Sequence, residues 1–186
     1  PRCVRRHRSA AAPKKASGMR PFIERLQDDA PILYDGGFGT RLFARGIELA
    51  NSSLANVLHP EAVVDVHREY IESGSEVIHC NTFVASNLHM EMADSIEGDS
   101  GEIASLAARH ARRAVEEAGA DVYIAGSLGP SPGAIEADSG DTVFGIANDR
   151  VREAHELVAA ALAEGGVDFF VLETMFSAKE AAIAVD

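Results

Sequence analysis

From Ala30 onward the chain alternates between two kinds of hydrophobic pattern. Four short apolar runs, rich in β-branched and aromatic residues, each end in small or polar residues: ILYD at 32–35, VIHCN at 77–81, VYIAG at 122–126 and FFVLE at 169–173. Runs this short and apolar on both faces predict buried strands of a parallel sheet. Longer stretches with apolar residues at helical spacing lie between them. Residues 60–73 begin with Pro60 in a first-turn position, carry Val63, Val66, Tyr70 and Ile71 on one face, and stop at Gly74. Residues 102–118 repeat Ile103, Leu106, Ala107, His110, Ala111, Ala114 and Ala118, then stop at Gly119. Asp149 is the expected cap of a helix carrying Val151, Ala154, Val158, Ala161 and Leu162 and ending at Gly165-Gly166. Ser177 is the expected cap of the last helix.

Strand, helix and stop glycine in series predict an α/β fold. The strand starts at 32, 77, 122 and 169 are 45, 45 and 47 residues apart, a βα-unit period with insertions. A doubly wound open sheet would be complete at this length, whereas a (β/α)8 barrel needs about 250 residues, so four units would make half of one. Polar residues at the strand C-termini favour the barrel, whose chemistry sits on that rim.

Composition removes several classes of function. The 186 residues are 46% hydrophobic and 25% charged, as in ordinary globular proteins, and no apolar run approaches the length of a membrane span. A net charge of -12 argues against a nucleic-acid partner, which such a surface would repel. Two cysteines, Cys3 and Cys80, make no disulfide framework and suit a reducing, cytoplasmic setting. Residues 1–18 carry Arg2, Arg5, Arg6, Arg8, Lys14 and Lys15 without a single acid. They are expected to be a disordered basic tail or leader, with the globular domain occupying 19–186.

The candidate chemistry lies at the strand ends. Asp35-Gly36-Gly37-Phe38-Gly39 allows a tight turn and close approach to a ligand, but it lacks dinucleotide-loop spacing, and a strand-end acid repels phosphate. Alternation puts Val77 and His79 on one face of the second strand, with Ile78 and Cys80 on the other. Cys80 is expected to be a small core residue and His79 a packed, satisfied histidine, having no partner at metal-ligand spacing. Asn81 and Thr82 either orient a polar ligand or satisfy loop backbone. Arg41, Arg45 and His67 sit at helical positions expected to face solvent. Asp35 and Glu173 form a pair of carboxylates on one rim. Such pairs serve glycosidases and metal hydrolases, and they also grip the ammonium of an amino acid. Spacing does not choose among these uses.

DGGFGTRLFARG, LHPEAVVDVHREYIESGSEVIHCNTFVAS, IAGSLGP and VDFFVLETMFSAKEA together resemble the homocysteine S-methyltransferase family, in the family's order and from about residue 32 to the end of the chain. The resemblance implies a (β/α)8 barrel, of which this chain covers about the first four βα units. It implies methyl transfer from a donor to the thiol of homocysteine, giving methionine. By resemblance, Asp35 and Glu173 contact the amino-acid end of the substrate, Gly36 and Gly37 form the loop beside it, and Thr82 with Phe83 form the second-strand rim. The family activates the thiol with zinc on three cysteine thiolates carried by later strands; with two cysteines, this chain is expected to bind no zinc and to be inactive alone. Half a barrel would expose strand edges and invite self-association. Betaine's quaternary ammonium calls for an aromatic cage, yet there is no Trp and Val84 stands at the rim, so S-methylmethionine or another sulfonium is the expected donor, with a methyl-cobalamin or methyltetrahydrofolate system as the alternative if further domains follow. The rival readings are a non-catalytic α/β binding module and a carboxylate-pair hydrolase.

Overall fold

A computed structural model describes residues 19–93 and 99–186; the basic leader and Cys3 lie outside the described residues. Three parallel strands, β1 (Val77–His79), β2 (Tyr123–Leu128) and β3 (Phe169–Leu172), form a sheet in the order β1-β2-β3. Nine helices accompany them among the described residues: α1 (Phe22–Arg25), α2 (Phe38–Phe43), α3 (Ala55–Leu58), α4 (Pro60–Glu72), α5 (Asn87–Met92), α6 (Ser100–Ala118), α7 (Glu136–Ser139), α8 (Asn148–Glu164) and α9 (Ala178–Val185). α6 carries the chain from β1 to β2, and α8 carries it from β2 to β3, the helical crossovers that parallel strands require.

Side-chain alternation divides the core as expected. Ile78, Cys80, Ile124 and Leu128 point to the helical layer, where they meet Ala104, Ala107, Ala108, Ala111 and Val115 of α6 and Val158 and Leu162 of α8. Alanines on α6 let the helix lie close to the sheet and to its neighbours α4 and α8. Val77, Tyr123 and Ala125 point the other way, into a smaller cluster closed by Phe22, whose ring stacks on Phe169 at 3.7 Å. Gly74, Gly119 and Gly166 each take a positive φ at the end of a helix, so the stop glycines do what their spacing predicted.

Three expectations need correction. The run at 32–35 does not form a strand: only Tyr34 bridges Val77, supported by the Asp35 N–H to the Val77 carbonyl and by Glu76 and Val77 N–H to the Leu33 carbonyl. Pro31 has no N–H to give, and Gly36 and Gly37 leave the line at once, so the pairing is cut at both ends. β3 is not buried on both faces; Phe170 remains 43% exposed, since no further strand among the described residues covers that edge. Asp149 does not cap α8. The helix starts one residue earlier, and the Asn148 carboxamide oxygen accepts the Ala137 N–H instead. Ser177 does cap α9, accepting from the N–H groups of Lys179 and Glu180. Asp99 caps α6 through the Glu102 N–H, a cap the pattern alone did not single out. No helix among the described residues is long and apolar enough to cross a membrane.

Candidate functional site

A cavity of about 330 Å3 opens at the C-terminal ends of the strands. Its wall holds all six residues singled out for substrate, Asp35, Gly36, Gly37, Thr82, Phe83 and Glu173, with His79, Ser127 and Thr174 among the others. Residues separated by more than 130 positions therefore meet on one rim because each follows directly from a strand end or from the Tyr34 bridge.

Asp35 is the anchor of the near side. One oxygen accepts the backbone N–H of His79 at 2.8 Å, and the other meets His79 Nδ1 at 2.6 Å. With Nδ1 protonated, the ring donates and Nε2 is left toward the cavity without a protein partner among the described residues. The Asp35 side chain is 1% exposed and that of His79 22%, so a ligand entering the cavity meets the imidazole before it meets the acid. Burial alone would hold His79 below its ordinary range; the hydrogen bond to Asp35 and the charges of Asp35 and Glu173 outweigh burial and raise it. On the far side, the Ser127 hydroxyl donates to Glu173. Thr174, beside Glu173, has φ 58, a left-handed backbone that a β-branched residue adopts only at a cost.

The second-strand rim is built from backbone bonds. Thr82 Oγ1 donates to the Ser127 carbonyl at 2.7 Å, so its hydroxyl reaches a ligand only as an acceptor. Asn81 donates to the Ser52 carbonyl, and Asn56 donates to the Asn81 carbonyl; these bonds satisfy loop backbone, and Asn81 also lines the cavity. Phe83 lies at the surface of the cavity, pressed so closely by the loop after β2 that a Cβ on Gly129 would collide with its carbonyl oxygen and its ring. The Tyr70 hydroxyl donates to the Gly37 carbonyl from α4 and fixes the glycine turn.

His79 is the residue whose importance the spacing understated. It is satisfied, as expected, but by the acid of the site. Its inward face at the end of β1 was the signal available. His67 departs further from expectation: it is not on a solvated face but fully buried, with its ring against Phe38 at 5.0 Å and neither nitrogen hydrogen-bonded. α2 folds over α4 and covers it, and burial pushes the imidazole down to about 3. Arg41 and Arg45 do lie at the surface, both paired with Glu69.

A second carboxylate–histidine cluster lies beside the site. Glu180 Oε1 accepts from the Ser131 N–H and hydroxyl, both at 2.6 Å, and meets His155 Nε2 at 3.1 Å. All three residues are buried. The larger cavity next to them, about 610 Å3, shares Phe83 and Thr174 with the first.

A three-thiolate zinc site does not fit these residues. Cys80 is buried in the helical layer, where burial pushes its thiol up to about 12, and no group of three His, Cys, Asp or Glu among the described residues is arranged to hold a metal.

The family model for homocysteine S-methyltransferase matches residues 32–186, most of the chain. The chain belongs to this family. Betaine–homocysteine S-methyltransferase 1 of Bos taurus is 30% identical over 169 residues, which is 89% of this chain and 39% of that one. The fold is that of the homocysteine methyltransferase MmuM from Escherichia coli: TM-score 0.69 to both its metallated and its oxidized form, at 24% identity, covering 87% and 89% of this chain and 60% of each of theirs. The chain thus spans 39% of the length of the first of these relatives and 60% of the solved structures.

Proposed function

We propose that the chain is the part of a homocysteine S-methyltransferase that receives the amino-acid end of homocysteine, within a (β/α)8 barrel whose first four βα units it supplies. The observation that carries this is the convergence of Asp35 and Glu173 on one small cavity. Two carboxylates there give a field that favours an ammonium, and a low local dielectric strengthens it. Gly36 and Gly37 allow the ligand to approach the backbone, Thr82 offers an acceptor, and the exposed Phe83 supplies an apolar wall for the methylene chain. Asp35 is shut behind His79, so it acts on the ammonium through its charge while Glu173 is the acid facing the ligand; the same burial disfavours a hydrolase in which both acids would act directly on water.

In this reading the thiol of homocysteine receives a methyl group, giving methionine, and S-methylmethionine or a related sulfonium is the donor. No residue of this chain is assigned to zinc, and the 186 residues by themselves are expected to bind homocysteine without turnover. The uncovered edge of β3, with Phe170 at the surface, supports self-association through that edge. A cytoplasmic setting suits a buried cysteine that stays reduced.

Calorimetric titration with L-homocysteine tests the reading. Glu173→Gln and Asp35→Asn, with circular dichroism to verify folding, are each expected to weaken binding about tenfold or more, the scale of a charged contact. Binding that is indifferent to both substitutions overturns the assignment. Methyl transfer by these residues alone would overturn the expectation of no turnover.

A further inference from the structure

We propose that His79 is a positioning residue that couples substrate binding to a proton: it holds Asp35 in place and, while protonated, occupies the cation-favouring field that the ammonium of the amino acid must take over. This rests on the reading that Asp35 and Glu173 receive that ammonium.

The geometry is that of an internal counter-ion. His79 gives Asp35 two hydrogen bonds, one from its main chain and one from its ring, so any side chain at position 79 keeps the first while only a donor keeps the second. The ring lines the same cavity as Glu173 and is exposed to it. Two negative carboxylates beside a protonated imidazole leave a net charge of one; beside a neutral imidazole they leave two. An ammonium seated between the two acids therefore prefers the neutral imidazole, and by linkage a ligand that places its ammonium there must expel the proton to bind well.

The groups around His79 leave it free to act alone near neutrality. Tyr34 packs its ring 5.4 Å away, and burial raises its hydroxyl above the ordinary range. On α4, Tyr70 is raised likewise by burial and by the charge of Asp35, while His67 is held neutral with a value of about 3. Cys80, on the opposite face of the strand, is pushed up to about 12. Asp35 and Glu173 are the acids the imidazole answers to.

The test is the pH dependence of L-homocysteine binding to the 186-residue chain between about pH 5.5 and 7.5, where an imidazole titrates. Wild type is expected to lose affinity about tenfold for each pH unit below the His79 midpoint. His79→Gln, whose amide still donates to Asp35 but carries no proton, is expected to bind with little dependence on pH and to be tighter than wild type at the acid end. A desamino analogue, 4-mercaptobutyrate, should not show the acid loss. Reciprocally, saturating homocysteine is expected to lower the His79 midpoint read from its Cε1 proton resonance. Binding with the same pH profile in wild type and His79→Gln, or a midpoint unmoved by ligand, overturns the inference while leaving the proposed function standing. Absence of any homocysteine binding to wild type overturns both.

Discussion

Two carboxylate–histidine pairs lie a short distance apart in this molecule and have different surroundings. Asp35–His79 opens on a cavity, and a second acid stands across from it. Glu180–His155 is buried at the wall of the larger cavity, and the same Glu180 oxygen also takes both donors of Ser131. The pairing is the same, so the pairing does not decide the role. What decides it is whether the imidazole has a face left over. A buried pair whose acid is already taken up by Ser131 fixes the loop after β2 to α9; a pair whose imidazole keeps a face toward the cavity can exchange a proton or meet a ligand. His67 completes the contrast, being buried with no acid at all.

The comparison is broken most forcefully at Glu180. Replacing it with Ala leaves the Ser131 donors and His155 buried without an acceptor, and the expected loss is about 3 kcal/mol in urea unfolding. A loss below about 1 kcal/mol would mean the buried pair holds nothing together. Its acid behaviour has a definite sign. Burial raises Glu180, but the bonds from His155 and Ser131 outweigh burial and lower it, so its contribution is present above the ordinary carboxylate range and fades as pH falls through the folded value.

His67 sharpens the contrast by its pH dependence. Its folded value of about 3 lies below the unfolded one, so it costs nothing above the unfolded value and destabilises increasingly as pH drops toward 3. Between pH 6.5 and 5, wild type should lose about 2 kcal/mol that His67→Leu does not lose, measured as the difference in their unfolding free energies at each pH. His79 runs the other way in the unliganded chain: its folded value is raised, so its contribution is whole below the unfolded value and is lost as pH rises through the folded one.

The smallest effect belongs to the cap that holds α9 against the buried pair. Ser177→Ala is expected to cost about 1 kcal/mol by freeing the N–H groups of Lys179 and Glu180. If it costs as much as Glu180→Ala, the helix start and not the buried acid secures that region.

Local chemistry was legible in the sequence where it is local in space. Period-2 alternation placed Cys80 and His79 on their correct faces, and each helix-ending glycine announced itself because the required backbone angle suits glycine above other residues. The six rim residues were legible through resemblance, since each follows a strand end or the Tyr34 bridge. What escaped depends on contacts across the chain. The partner of His79 lies 44 positions away, and only the Tyr34–Val77 bridge brings it there. His67 reads as a surface residue on α4 until α2 is laid over it. The run at 32–35 has the composition of a strand, but its neighbours Pro31, Gly36 and Gly37 decide how much of it can pair.

Thr174 gives the far wall of the cavity a particular mechanical character. A branched side chain in a left-handed backbone is costly and persists only where its surroundings impose it, so the turn that follows Glu173 is set by the fold around it. A guest arriving there would find the acid already aimed, and the ordering cost that a limp loop would levy on each encounter has been met when the chain folds.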